Sequence, residues 1–147
     1  MKPSTRLKLL FPALLLSPLV ADALEIPQVK PGLWELRIQS STDGTALKPT
    51  GTTQICWDAA TLAESARKVE AARNKQDCSK YEVRKDGARW IANGICKSGG
   101  SIVNGQMTRE FFGDNAYRDE NTSTYDPPSR GNSRRHMIVD GKWLGPC

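Results

Sequence analysis

Four cysteines, one histidine and a scatter of acids are the side chains here that could do chemistry. Cys56, Cys78, Cys96 and Cys147 could bind a metal, exchange thiols or form disulfides. No C-x-x-C is present, which removes a thioredoxin-like redox arrangement. A single histidine leaves a Cys/His zinc site of the usual spacing short of ligands. An even number of cysteines behind an export signal instead implies two disulfides. His136 is the one possible histidine base, and its flanks carry no G-x-S-x-G or other nucleophile signature. Ser101, Ser123, Ser129 and Ser133 are ordinary loop and strand serines, and His136 reads as a surface strand residue. Asp114, Asp119, Glu120 and Asp126 could bind Ca²⁺ or form an acid/base pair, but they match no calcium-loop spacing. They read as a solvated segment. The sequence therefore predicts no catalytic residue, no metal site and no cofactor.

One surface group stands out. Arg130, Arg134 and Arg135, with Lys142 nearby, could meet an acidic head group, a glycan or an acidic protein. Few aromatics interleave with them, so nucleic acid is not an expected partner. The four tryptophans divide by neighbours. Trp34 and Trp57 share a parity with Leu36, Ile38 and Ile55 and read as core. Trp90 shares one with Ala92 and Cys96. Tryptophans lining an open barrel mouth would instead make an apolar ligand site.

The elements that must position these groups follow from periodicity. Met1–Lys8 carries Lys2, Arg6 and Lys8 without an acid, and Leu9–Val20 is apolar. Ala21-Asp22-Ala23 completes a secretory signal, with cleavage expected between Ala23 and Leu24. The apolar run is too short to span a bilayer of ~30 Å, and Pro12 and Pro18 interrupt it. Removing residues 1–23 lowers the net charge from +5 to +3 and leaves one domain, residues 24–147, with no membrane anchor.

In that domain LWELRIQ, Leu33–Gln39, alternates as a half-buried strand. Ser40–Gly51, with Asp43-Gly44 and Pro49, reads as a loop, and Thr52–Trp57 as a second strand. Asp58 can cap a helix that runs over about 59–73, with Leu62, Ala66 and Val69 as its apolar stripe. Turn signals then recur at Asp86-Gly87, Ser98-Gly99-Gly100, Gly113-Asp114-Asn115, Pro127-Pro128 and Asp140-Gly141. They separate five further short strands: Lys80–Lys85, Arg89–Cys96, Ile102–Phe112, Ala116–Tyr125 and Arg135–Val139. The fold class is mainly β: an antiparallel meander or small half-barrel of six or seven strands, one helix and two disulfides.

A three-residue loop at Asp86-Gly87-Ala88 would pair Lys85 with Arg89 and Val83 with Ile91. That register carries Cys78 to Cys96 and leaves Cys56 for Cys147. The rival pairing, Cys56–Cys78 with Cys96–Cys147, stays open.

KPGLWEL (Lys30–Leu36), a cysteine before a short helix, a cysteine pair flanking a hairpin, and GKWLGPC (Gly141–Cys147) together resemble one family. It is the group of small exported bacterial proteins collected as domain of unknown function 3617. The resemblance implies a periplasmic, β-rich protein and no activity. The expectation is thus a periplasmic, disulfide-bonded, non-catalytic binding module that engages an envelope protein. The alternatives are a lipocalin-like carrier of a small apolar ligand and an inhibitor of an envelope or foreign enzyme.

Overall fold

A computed structural model describes residues 25–74 and 77–147. The signal segment and the Ala23–Leu24 cleavage site lie outside these residues. The elements, in chain order, are β1 (Gly32–Thr42), β2 (Lys48–Trp57), α1 (Ala59–Asn74), β3 (Cys78–Asp86), β4 (Arg89–Ser98), β5 (Ser101–Phe111), β6 (Ala116–Ser129) and β7 (Asn132–Gly145). The seven strands make one antiparallel sheet in the order β2-β1-β7-β6-β5-β4-β3. The sheet is open: β2 and β3 are its two edges.

Register gives the sheet two unlike faces, because opposed residues share a side. Trp34 sits between Ile55 on β2 and Trp143 on β7. Along the same inner face lie Tyr117 opposite Gly141, and Phe111 opposite Tyr117. The outer face carries charge pairs, including the fork of Arg118 on Asp140 (2.7 and 3.1 Å) and Arg89 with Glu110 (3.2 Å). Exposed pairs of this kind add little stability. The main core therefore lies on the inner face, with Ile91 buried apart from it on the outer one. Val29, Trp34 and Tyr117 are buried, and Leu36, Ile55, Trp57, Leu62, Phe111 and Trp143 pack around them. The Trp34 and Tyr117 rings meet at 5.2 Å, tilted by 59°. Gly141 is needed opposite Tyr117, since a Cβ there would fall inside the ring.

α1 is capped as its sequence implies: the Thr61 N–H donates to Asp58 Oδ1 at 2.7 Å. Glu64 and Lys68 pair along its exposed side at 2.7 Å. Leu62 turns to the core, and the Gln28 side chain donates to the Leu62 carbonyl at 2.9 Å. The helix thus lies on the inner face with the leader segment of residues 25–30 beside it.

Four expectations are corrected. Asp140-Gly141 is not a turn: both residues pair with β1 inside β7, which runs on from Val139 to Gly145. The other three concern connections. Residues 40–51 are mostly strand, because Asp43 closes a tight connection. Its φ is 49°, its N–H donates to the Arg134 carbonyl, and its carboxylate accepts the N–H groups of Ser133 and Arg134 at 2.8 and 2.9 Å. Pro49 is tolerated because β2 is an edge. Second, the β3–β4 loop has two residues, Gly87 and Ala88, with Gly87 at φ 59°. Lys85 therefore opposes Trp90, and Val83 opposes Ala92. A bulge at Ser79 restores the offset, so Cys78 still opposes Cys96. Third, Pro127-Pro128 only interrupts the ladder; β6 resumes, and Ser129 pairs with Asn132 across a turn in which Arg130 and Gly131 both have positive φ.

Both disulfides join the expected partners. Cys78–Cys96 clamps the edge hairpin. Cys56–Cys147 ties the chain end to the last turn of β2, with Cα atoms 5.9 Å apart.

Candidate functional site

The groups singled out for chemistry do not converge. His136 lies on the outer face, its Nε2 2.8 Å from Glu120 Oε1. Ser123 opposes Arg135 on the other face, and Ser101 opposes Ser98 at the far end of β5. Asp119 faces inward while its neighbour Glu120 faces outward, and Asp114 sits in the β5–β6 turn. Among the described residues no three His, Cys, Asp or Glu side chains are grouped to hold a metal. The basic run is divided as well. Arg130 is in a turn, Arg134 and Arg135 alternate between faces, and Lys142 lies about 27 Å farther along β7 than Arg134. Arg134 instead borders a shallow polar hollow of about 380 Å³ with Asn104, Gln106 and Thr122.

A larger space lies on the inner face. A cleft of about 550 Å³ runs between α1, the leader and the β3–β5 half of the sheet. Its floor is Val83 and Met107, which flank the buried Ala92 across three strands. Ala66 and Val69 of α1 form one wall, and Ile26 and Pro27 form the other. Glu25, Arg67 and Glu70 lie at the polar rim. The volume falls in the range of small-molecule pockets, which are apolar with few polar groups. A shallower hollow of about 230 Å³ shares Tyr81 and Met107 with the cleft. Its floor is opened by Gly94 and Gly105, which oppose each other on adjacent strands and carry no side chain there.

One charged pair closes the end of the cleft. Arg109 forks onto Asp119, Nε and Nη2 each donating at 2.7 Å to one carboxylate oxygen. Its Nη1 donates to the Pro27 carbonyl at 3.1 Å and fastens the leader to the sheet. The guanidinium lies 5.1 Å from the Tyr117 ring centre. Burial works against the charge on Arg109, but the hydrogen bonds and charge of Asp119 outweigh it and raise its pKa. Burial pushes the Tyr117 phenol up to about 12, with Asp119 adding to the shift and Arg109 opposing it. Each nitrogen of Arg109 thus makes a bond to the protein, and Asp119 balances its charge, so it holds the cleft together.

Sequence reasoning passed over this pair. The signal was present: Arg109 shares the parity of Met107 and Phe111, and Asp119 that of Tyr117. A charge of each sign at core parity on neighbouring strands is a buried pair in waiting. The contacts of the leader could not be read, because Pro27 and Gln28 contribute backbone and amide groups, which leave no pattern.

The two end motifs form a clasp, away from the cleft floor. Lys30 Nζ lies 3.6 Å above the Trp143 ring centre and reaches Asn115 Oδ1 at 2.5 Å. Trp143 Nε1 donates to the Pro31 carbonyl at 3.2 Å, and Trp34 Nε1 to the Lys30 carbonyl at 3.0 Å. KPGLWEL and GKWLGPC are therefore one structural unit, sealed by Cys56–Cys147.

Residues 29–147 match a family model described as "Protein of unknown function (DUF3617)". No curated protein and no solved structure matches the chain.

Proposed function

The chain belongs to the DUF3617 family of proteins of unknown function, and we propose that it is a non-catalytic binding module of the periplasm that holds a small, elongated, apolar molecule between α1 and the sheet. The observation that carries this reading is the cleft of about 550 Å³, apolar on its floor of Val83 and Met107, with Gln28 and Ser65 among its walls and charges at its rim. Its extension over Gly94 and Gly105 favours a long ligand over a round one. The balance of the Arg109 charge by Asp119 favours a ligand whose buried end is uncharged. Two disulfides suit an oxidising, extracytoplasmic compartment, and the signal read at residues 1–23 supports export. No helix among the described residues is long and apolar enough to cross a membrane. The site is not the interior of a lipocalin-like barrel, because β2 and β3 do not pair; the space lies under the helix instead.

Titration with the neutral probe N-phenyl-1-naphthylamine tests this, with native mass spectrometry of protein exported by its own signal. Saturable binding of one probe per chain is expected, together with a co-purified apolar molecule. Val83→Trp or Ala66→Trp, each filling the cleft, should abolish both while the disulfides form as before. A protein that carries no ligand and binds the probe equally well in both variants would overturn the reading.

A further inference from the structure

The two edges of the sheet are not alike. An edge strand offers a row of unpaired N–H and C=O groups, and proteins that stay apart protect it with charge, bulges or proline. β3 is protected: Lys80, Glu82, Arg84, Lys85 and Asp86 fall within its nine residues, and its start is bulged. If β3 paired with itself antiparallel about Glu82, Glu82 would face Glu82 and Lys80 would face Arg84. Like charges directly opposed destabilise a strand pair. β2 has its one charge, Lys48, its proline, Pro49, and a bulge at Thr50 all at its beginning. From Gly51 to Trp57 it has neither charge nor proline, and it is exposed along most of its length. α1 leaves the end of β2 and packs toward β3, so it does not cover this edge.

We propose that β2 is where a second copy of this chain adds, antiparallel, so that two seven-stranded sheets continue as one. Pairing about Thr53 sets Thr53 against itself and Thr52 against Gln54. It also brings Ile55 of the partner subunit opposite Gly51. That position is open: a Cβ built on Gly51 meets nothing within 4 Å. Gly51 lies beside Ile38 on the inner face, so the missing side chain leaves the flank of Ile38 bare. A glycine inside a strand weakens it and marks places where another chain comes close. Ile55 of the partner subunit fills this gap, and the two-fold axis makes the reciprocal contact. The surface is its own complement, as a two-fold interface requires. A contact of one strand pair is small, so the dimer exchanges with monomer and depends on concentration.

Sedimentation equilibrium on the full disulfide-bonded protein tests this. A monomer–dimer equilibrium is expected, with the amides of Thr52–Ile55 slowing in hydrogen exchange as concentration rises. Thr53→Lys puts two ammonium groups face to face across the axis and should weaken association by at least about tenfold. Arg84→Thr on the other edge should leave association unchanged. Far-UV circular dichroism and the absence of free thiols establish that each variant is folded. A protein that stays monomeric up to about 1 mM, or a Thr53→Lys protein that associates as the native one does, would overturn the proposal.

Discussion

Gly32 and Trp143 compete for one space. The indole of Trp143 lies against the Gly32 backbone, and a Cβ at position 32 would run into its Nε1 and lie 2.6 Å from the Gly145 carbonyl. Gly32 also has φ 142°, a conformation that side chains rarely adopt. The glycine therefore lets Trp143 donate to the neighbouring Pro31 carbonyl and keep Lys30 above its ring. Gly32→Ala should cost about 2 kcal/mol or more, from strain and overpacking together. Urea unfolding measures it, and a change under ~0.5 kcal/mol would show that the clasp gives way freely.

The inner ion pair gives a second prediction. Asp119→Ala leaves the Arg109 guanidinium inside the fold without its carboxylate, which should cost about 3 kcal/mol. It also frees the group that holds Pro27, so the leader should become accessible to proteases. Replacing both partners, Arg109→Met with Asp119→Leu, should recover most of the stability but not the leader contact, because Met donates nothing to the Pro27 carbonyl. Urea melts and limited proteolysis separate the two effects.

Tyr117 makes stability depend on pH at the alkaline end. Its folded pKa is raised from 10.0 to about 12, with burial the largest cause. Below pH 10 the phenol is neutral in both states and its contribution is fully present. Between 10 and 12 the unfolded chain ionises first, so stability falls as pH rises. Tyr117→Phe should flatten this decline in urea melts taken across that range. The same variant should remove the phenol that ionises near pH 12 in an ultraviolet titration.

Much of this architecture can be read from the chain because alternation and turn residues carry it. Trp34, Leu36 and Ile38 on one parity, and Asp58 ahead of a run without Gly or Pro, specify β1 and the start of α1 with no outside help. The connection at Asp43 could not be read, because its carboxylate closes the turn on Ser133 and Arg134, far along the sequence. The β3–β4 register went one residue astray, since a bulge at Ser79 leaves no mark in composition. Cys78 and Cys96 meet regardless, because the shorter loop and the bulge offset each other. The cleft was least legible. It is a gap between elements, and a gap is defined by the side chains that stop short of it, such as Gly94 and Gly105.

The disulfides differ in what they close, which gives a last prediction. Cys56–Cys147 spans 91 positions, while Cys78–Cys96 spans 18 within a hairpin already held by its ladder. In the chain-entropy model the longer loop restrains the unfolded chain more, by about 1.5 kcal/mol. Replacing Cys56 and Cys147 by Ser should therefore destabilise the protein by about that much more than replacing Cys78 and Cys96. The structure adds a term in the same direction. Without its bridge the chain end is free to fray, and Trp143 sits just upstream, holding Pro31 and Lys30. The long-loop variant should accordingly show faster exchange at Leu33–Leu36 on β1, whereas the hairpin variant should show it only at β3 and β4. Equal urea midpoints for the two double variants, with exchange confined to the last three residues in the first, would mean that the clasp holds by packing alone.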